Sequence, residues 1–199
     1  MESNVRFKIQ TIGDINVLIR KDPWMMEVLQ LVESLGLPDW MIGAGFVRNK
    51  VWDHLHEYSK RSPLTDIDVI YFDPADFSDS EASSDSTRKE LEYQKILTDK
   101  MPDQNWSVTN QARMHHFHMR EPYRSSEEAL SEWVETATCV GVTLRNGKPF
   151  LIAPHGVDDL VGLKLVPVFR TDEKIGTFHQ RVEKKNWLAK WPKLKVVDK

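Results

Sequence analysis

The chain has 199 residues, of which 40% are hydrophobic and 10% aromatic, enough apolar material for one domain with a buried core. Its 27 basic and 30 acidic residues leave a net charge of −3, which argues against a protein that binds nucleic acid through bulk positive charge. Cys139 is the single cysteine, which excludes an internal disulfide and fits a reducing compartment. Residues 1–20 lack the apolar run of a signal peptide, and no segment approaches the ~18 apolar residues that span a bilayer. We therefore expect a cytoplasmic protein with no membrane association, built as a single domain over residues 1–199, with a core at about 22–166 and a helical tail at 167–199.

The first third of the chain alternates helix and strand patterns. A helical pattern of apolar residues begins at Pro23 and ends at Gly36. The apolar run at 40–42 predicts a short buried strand, and a second helical pattern starts near Gly45. The β-branched and aromatic residues at 67–72 predict the next strand.

The remaining two thirds continue this alternation. The serine-rich polar stretch at 73–86 predicts a loop, and capping-box patterns at Thr87 and Ser125 each predict a helix. Asn146-Gly147 is a strong signal for a β-hairpin. The other predicted elements are a strand at 106–109, hairpin strands at 138–144 and 149–153, a short helix at 157–166 and a basic helix at 177–190. This order predicts an α+β fold with a small mixed β-sheet backed by helices.

The strongest single motif is the pair Asp66 and Asp68 at the start of the strand predicted over 67–72. Residues i and i+2 of a strand point to the same face, so the two carboxylates lie side by side. They repel each other unless a cation lies between them, and oxygen ligands suit Mg²⁺ or Mn²⁺. The alternative is that they form only the polar face of an edge strand.

A second motif is the turn of small residues that precedes the second helix. Glycine lets a ligand approach the backbone closely, and the N-terminus of the following helix offers free N–H groups to phosphate. An arginine one turn into the helix adds a positive charge. The alternative is an ordinary tight turn. The candidate nucleotide-binding residues of this segment are Gly43, Ala44, Gly45, Arg48 and Asn49.

Together, the strand, the small-residue turn, the helix and the Asp-x-Asp strand resemble the DNA polymerase β-like nucleotidyltransferase superfamily. The local likeness is to the head domain of tRNA CCA-adding enzymes and poly(A) polymerases, whose Gly-Gly-x-Val-Arg-Asp turn precedes an Asp-x-Asp strand. Residues 44–49 take the place of that turn, with Asn49 where those enzymes have an aspartate.

A longer stretch, from about Trp40 to Val166, resembles a bacterial family of small predicted nucleotidyltransferases. The motifs that carry this resemblance lie at 43–49, 51–53, 66–69, 110–115 and 154–160. The resemblance implies a polymerase β-like fold that moves a nucleoside monophosphate from an NTP to a hydroxyl with release of pyrophosphate. It also implies Mg²⁺ or Mn²⁺ at Asp66 and Asp68. Asn110, Gln111 and Arg113 offer amide and guanidinium donors, which makes them candidates for contact with the base, sugar or phosphates of the nucleotide.

The chain departs from the superfamily at the third catalytic carboxylate, whose place by resemblance is Ser107. A neutral hydroxyl binds a metal only weakly. One hypothesis is that another acid, with Asp53, Asp73 and Glu121 as candidates, or the amide of Asn110 completes the site. A second is that the protein is a catalytically impaired nucleotide-binding module. A third hypothesis is an interaction protein whose aspartates merely face water.

The acceptor stays open between a small molecule, a protein and an RNA end. The basic C-terminal segment either contacts RNA by charge and stacking or packs as an amphipathic helix with its lysines in water. Its candidate residues are Lys184, Lys185, Lys190, Lys193 and Lys195, with Trp187 and Trp191.

Overall fold

A five-stranded mixed sheet forms the centre of the protein. The structure, a computed structural model, describes residues 7–76, 88–115, 121–169 and 171–198. The strands are β1 (Met41–Gly43), β2 (Ile67–Tyr71), β3 (Trp106–Asn110), β4 (Gly141–Arg145) and β5 (Lys148–Ile152). Their order is β3-β2-β1-β4-β5, with β2 and β3 parallel and the other neighbours antiparallel. The predicted α+β class with a small mixed sheet is confirmed.

The helices are α1 (Ile12–Arg20), α2 (Pro23–Glu33), α3 (Gly45–Leu55), α4 (Arg88–Lys100), α5 (Ser126–Ser131), α6 (Asp158–Val161), α7 (Asp172–Lys185) and α8 (Trp187–Lys190). A single 3₁₀ turn at Gln111–Arg113 follows β3, and a two-stranded parallel ribbon pairs β6 (Lys164–Leu165) with β7 (Lys195–Val196). Within the described parts of the chain, no helix combines the length and apolar character needed to cross a membrane.

The two faces of the sheet differ in how they are covered. Side chains alternate along β2, so Ile67, Val69 and Tyr71 enter the main core, which also contains apolar residues of α1, α2 and α3. Ile70 points to the other face and packs in a small cluster with Leu130 of α5. By the same alternation Asp66 and Asp68 lie on the side of Ile70, where the apolar covering is sparse.

Local signals account for most element boundaries. The helix predicted at Pro23 is confirmed, with the Asp22 side chain accepting a hydrogen bond from the backbone N–H of Met25 at 3.1 Å. The helix α1 was not predicted from the sequence, although a capping box of Thr11 and Asp14 begins it. The predicted cap Thr87 and most of the predicted loop at 73–86 lie outside the described residues.

Two helix predictions in the second half need correction. The helix predicted at 157–166 is α6 alone, because it ends at Gly162 and Leu163 takes a left-handed φ of 56° before β6. The helix predicted at 177–190 is divided into α7 and α8 by Asn186, whose φ of 52° is also left-handed. Asparagine tolerates this conformation better than most residues.

Hydrogen bonds tie the C-terminal segment to α3 and the residues after it. Trp191 donates from its indole N–H to Asp53 at 2.8 Å, and the Lys193 backbone N–H donates to His56 at 2.9 Å. The Tyr58 hydroxyl donates to the carbonyl of Lys190 at 2.6 Å. These contacts hold α7 and α8 beside the N-terminal part of the fold rather than as a free tail.

Candidate functional site

One cleft brings together the start of α3, the start of β2 and the C-terminal helices. Six of the residues singled out in the sequence lie on its walls, namely Ala44, Gly45, Arg48, Asn49, Asp66 and Asp68. The same cleft is lined by cationic and aromatic side chains of α7, α8 and the residue after α8, namely Arg181, Lys185, Trp187, Lys190 and Trp191. The two aspartates thus share the cleft with several positively charged side chains, and Arg48, Lys185 and Arg181 act electrostatically on Asp68.

Asp68 is held in an environment that disfavours its ionised form. Burial raises its pKa to about 6, and the negative charge of Asp66 adds to the shift, while Arg48, Lys185 and Arg181 oppose it. A divalent cation between the two carboxylates would remove their repulsion. Mg²⁺ commonly takes one or two carboxylates and completes its shell with water and substrate phosphates, so this donor set fits Mg²⁺ or Mn²⁺. No group of three or more acidic, histidine or cysteine side chains that could hold a metal occurs in the described residues.

Ser107, to which the resemblance assigns the place of the third carboxylate, lies next to Asp68 in the structure. Ser107 of β3 is the register partner of Asp68 in the parallel pair of β2 and β3, so the two side chains share one face of the sheet. The side chain there carries no charge.

None of the three acids considered as substitutes lines the cleft. Asp53 accepts hydrogen bonds from both the backbone N–H and the hydroxyl of Ser62 and from the indole of Trp191. Asp73 accepts from the backbone of Ala75 within its own turn. Glu121 lies on an exposed segment.

The turn before α3 carries its conformational strain at Ala44. This residue has φ 45° and ψ −113°, a region that L-residues rarely adopt and that glycine adopts readily. Its carbonyl accepts the N–H groups of Val47 and Arg48, so it caps the helix. As the first two residues of α3, Gly45 and Phe46 have no intrahelical acceptor for their N–H groups, and no partner for them lies in the described residues.

Ala44→Gly is expected to stabilise the protein by about 1 kcal/mol, because relief of the backbone strain outweighs the added freedom of the unfolded chain. Thermal unfolding should show a rise in Tm of about 2–4 °C. The matched control is Ala189→Gly, at an exposed residue of α8, which should destabilise by about 0.5–1 kcal/mol. A fall in Tm for Ala44→Gly would show that the turn is not strained.

Gly43 serves packing rather than the cleft. It does not line the cleft and its φ is not positive. A Cβ at this position would lie 2.8 Å from the ring of Trp133, so glycine is required for the approach of that ring. Gly43 therefore allows the ring of Trp133 to pack closely against the backbone. The positive φ of the turn belongs to the next residue, Ala44.

Arg48 is buried with its guanidinium fixed from several sides. It donates to the hydroxyl of Thr138 at 2.9 Å and to the side-chain oxygen of Asn49 at 3.1 Å. The guanidinium also lies 4.5 Å from the ring centroid of Trp187 and 5.1 Å from that of Trp52. Burial lowers its pKa to about 10, so it stays charged at neutral pH.

Glu135 is a fully buried acid behind the cleft that sequence analysis did not single out. Arg181 Nε lies 2.9 Å from its Oε1, close enough for an ion pair but not aligned for a hydrogen bond. The Glu135 carboxylate also opposes the lowering of the Arg48 pKa, and so stabilises the charged guanidinium. Its negative charge therefore stabilises the positive charges of both Arg48 and Arg181. Glu135 lies a few residues after α5, and no local sequence pattern marks it as part of a site.

Asn110, Gln111 and Arg113 lie at the far end of β3 and do not line the cleft. Arg113 makes two hydrogen bonds, at 3.1 and 2.7 Å, with the buried carboxylate of Glu90. Asn110 caps the 3₁₀ turn through the N–H of Ala112 and bonds to the backbone of the segment after β2, and Gln111 reaches the carbonyl of Thr109. Their polar groups hold together the end of the sheet, so they are not part of the site proposed below.

The basic C-terminal segment combines both sequence-based alternatives. Trp187 and Trp191 are buried in the main core, as expected of a packed helix. Arg181, Lys185 and Lys190 nevertheless reach the cleft. Arg181 was not singled out from the sequence. Arg181, Lys185 and Lys190 reach the same cleft because the helix is divided at Asn186 and the C-terminal segment packs on α3, and neither feature follows from a local sequence pattern.

Comparison with known proteins agrees with this architecture. A family profile described as nucleotidyltransferase matches residues 30–196. A solution structure described as revealing a CCA-adding enzyme head domain matches with a TM-score of 0.80 and 32% identity, covering 97% of this chain and 99% of that chain. No match was found among the curated proteins.

More distant likenesses concern the fold alone. A CCA-adding enzyme in complex with CTP matches with a TM-score of 0.57 and 12% identity, covering 94% of this chain and 43% of that chain. The Thermotoga maritima CCA-adding enzyme complexed with tRNA matches with a TM-score of 0.55 and 13% identity, covering 94% and 42%. The chain thus spans less than half of those longer enzymes. The extent of the profile match and the likeness to the head domain along nearly the whole of both chains show that this chain belongs to the nucleotidyltransferase family, with a polymerase β-like fold.

Proposed function

We propose that this protein moves a nucleoside monophosphate from an NTP to an acceptor hydroxyl and releases pyrophosphate. The observation that carries the proposal is the single cleft in which Asp66 and Asp68 face the start of α3 and the cations of the C-terminal helices. A pair of carboxylates suits a divalent ion, and a cationic wall suits the polyphosphate that such an ion accompanies.

The triphosphate is held from two sides. The free N–H groups at the start of α3 and the helix dipole favour negative charge at Gly45. Arg181, Lys185 and Lys190 line the same cleft. Arg48 also lines the cleft but is almost fully buried, so it contributes mainly its positive charge, while its hydrogen bonds fix Asn49 and Thr138.

Asp66 and Asp68 would hold Mg²⁺ or Mn²⁺. When bound, the ion supplies Lewis-acid stabilisation of charge on the phosphates. The acceptor oxygen forms a bond to the α-phosphorus, and the bond from that phosphorus to the pyrophosphate oxygen breaks. The proton of the acceptor hydroxyl leaves to solvent, and the cationic wall stabilises the charge that develops on the pyrophosphate.

The proposal is tested with each of the four α-labelled NTPs, Mn²⁺ or Mg²⁺, and cell extract. Wild type is expected to transfer label to a component of the extract, and Asp66→Asn/Asp68→Asn is expected to lose the transfer while remaining folded. The matched control Glu33→Gln/Asp99→Asn changes two exposed acids away from the cleft and should leave transfer unchanged. Equal labelling by wild type and Asp66→Asn/Asp68→Asn would refute the proposal.

A second candidate function rests on Ser107. Because a neutral side chain is paired in register with Asp68, the protein would bind nucleotide and turn it over slowly or not at all. This module is recognised by an increase in Tm with Mn²⁺ and a non-hydrolysable NTP in the absence of any labelled product. If neither binding nor transfer is observed, the remaining hypothesis is an interaction protein.

A further inference from the structure

A second recess opens on the other side of Asp66. Its volume is about 360 Å³, and it lies between α2, the loop before β2 and the loop before β3. Pro63, Leu64 and Asp66 line both this recess and the cleft. Asp66 therefore stands at the boundary between the two spaces, and a molecule in the recess meets the same carboxylate as a nucleotide in the cleft.

The recess is polar, and the cation found among its described lining residues is already paired with an acid of the fold. Among the described residues, Arg61 is the only cation that lines it, and the Nη2 of Arg61 donates to both carboxylate oxygens of Asp22 at 2.8 Å. The Arg61 guanidinium also lies 3.9 Å from the ring centroid of Trp24. Its charge is therefore paired with Asp22, its Nη2 is engaged within the fold, and its guanidinium packs against Trp24.

The other polar groups of the recess suit hydroxyls. The Gln104 carboxamide and the Asp103 carboxylate have no side-chain partner among the described residues, and Asn105 uses its Nδ2 on the carbonyl of Thr65 at 2.9 Å. Amides and carboxylates accept hydrogen bonds from hydroxyl groups, and the exposed Asp103 repels an anionic ligand.

We propose that this recess is the acceptor site and takes a neutral, polyhydroxylated small molecule about the size of a sugar or nucleoside. The inference rests on the proposed nucleotidyl transfer. A volume of about 360 Å³ lies in the range of small-molecule pockets. An RNA end would need cationic contacts to its phosphates, which the lining of the recess does not provide.

In the resulting step, a hydroxyl oxygen of the molecule in the recess forms a bond to the α-phosphorus of the nucleotide in the cleft. The bond between that phosphorus and the pyrophosphate oxygen breaks, and pyrophosphate leaves on the side of Arg181 and Lys185. The hydroxyl proton is released to solvent. The product is a phosphodiester of the acceptor and the nucleoside monophosphate.

The test presents three separate acceptor pools to the full-length protein with α-labelled NTPs and Mn²⁺. The first is the low-molecular-weight filtrate of a cell extract after passage through both anion- and cation-exchange resins, supplemented with a panel of neutral sugars and nucleosides. The second is total RNA with free 3′-hydroxyls, and the third is desalted protein. Label is expected in the first pool. Label confined to RNA or to protein overturns this inference and leaves the proposed function standing, whereas no label in any pool counts against both.

A filled recess supplies the second measurement. Gln104→Trp should lower transfer to the neutral pool at least tenfold, while its Kd for Mn²⁺ and a non-hydrolysable NTP stays within twofold of wild type, because Gln104 does not line the cleft. The matched control Gln30→Trp, at an exposed position of α2, should change neither value. Unchanged transfer by a folded Gln104→Trp protein also overturns the inference.

Discussion

Replacing Asp68 with asparagine is expected to stabilise the metal-free protein at pH 8 while abolishing nucleotidyl transfer. Burial and the charge of Asp66 raise the pKa of Asp68 to about 6 in the folded state, above the ordinary value of 3.8. The ionised carboxylate therefore costs the folded protein about 1–3 kcal/mol at alkaline pH. Asparagine has a similar shape and no charge to bury, so it removes this cost.

The sign of the pH dependence follows from the direction of the shift. A raised carboxylate pKa means that the folded state binds the proton more tightly than the unfolded state. The stability associated with that proton is fully present below pH 4 and is lost as the pH rises through 6. The difference in stability between Asp68→Asn and wild type should therefore be small at pH 4.5 and largest at pH 8.

Thermal unfolding at both pH values measures this difference, with an expected rise in Tm of about 2–10 °C at pH 8. Asp103→Asn is the control, because Asp103 is an exposed carboxylate that does not line the cleft. Mn²⁺ should raise the Tm of wild type at pH 8 more than that of Asp68→Asn, since the ion binds the folded carboxylate pair. A gain that is equal at pH 4.5 and pH 8 would contradict an origin in the ionisation of Asp68.

The parts of the site that depend on short-range geometry were predictable from the sequence. Strand periodicity alone puts Asp66 and Asp68 on one face, and the register confirms that Ser107 is the neighbour of Asp68. The fold class followed because the order of helices and strands is encoded in local patterns and in motifs that resemble a known superfamily. The start of α3 near Gly45 followed from the same patterns.

The rest depends on contacts between distant segments. From the sequence, Gly43 is a candidate phosphate-binding glycine. In the structure the ring of Trp133, ninety residues later in the chain, packs against it. Arg113 looks like a free guanidinium until Glu90 of α4 is found beside it. Glu135 and Arg181 meet only because the C-terminal helices dock on α3. No pattern within a window of ten or twenty residues contains these pairings.

Replacing Ser107 with aspartate is expected to increase the rate of nucleotidyl transfer, because the resemblance to the superfamily assigns the place of the third catalytic carboxylate to this residue. A carboxylate at this position lies beside Asp68 across the parallel pair of β2 and β3, and provides a further anionic oxygen ligand. A carboxylate can also accept a proton, so it would serve the proposed reaction as a general base. We expect Ser107→Asp to raise the rate of labelled transfer by about 10- to 100-fold, less than the ~10²–10⁴-fold of an optimised general base, because the surroundings have not adapted to it.

The control variant Ser107→Asn separates charge from shape, because asparagine has nearly the same shape as aspartate but carries no charge. It is expected to leave the rate of transfer near that of wild type. Without metal at pH 8, Ser107→Asp should be less stable than Ser107→Asn, because the new carboxylate adds a third negative charge that repels those of Asp66 and Asp68. Saturating Mn²⁺ should reverse this order, since the ion neutralises the added charge. A rise in transfer with Ser107→Asp from an undetectable level would identify the natural protein as a nucleotide-binding module that lacks one ligand. A folded Ser107→Asp that binds Mn²⁺ more tightly but transfers no faster would show that the missing carboxylate does not limit the reaction, and that this cleft works with two.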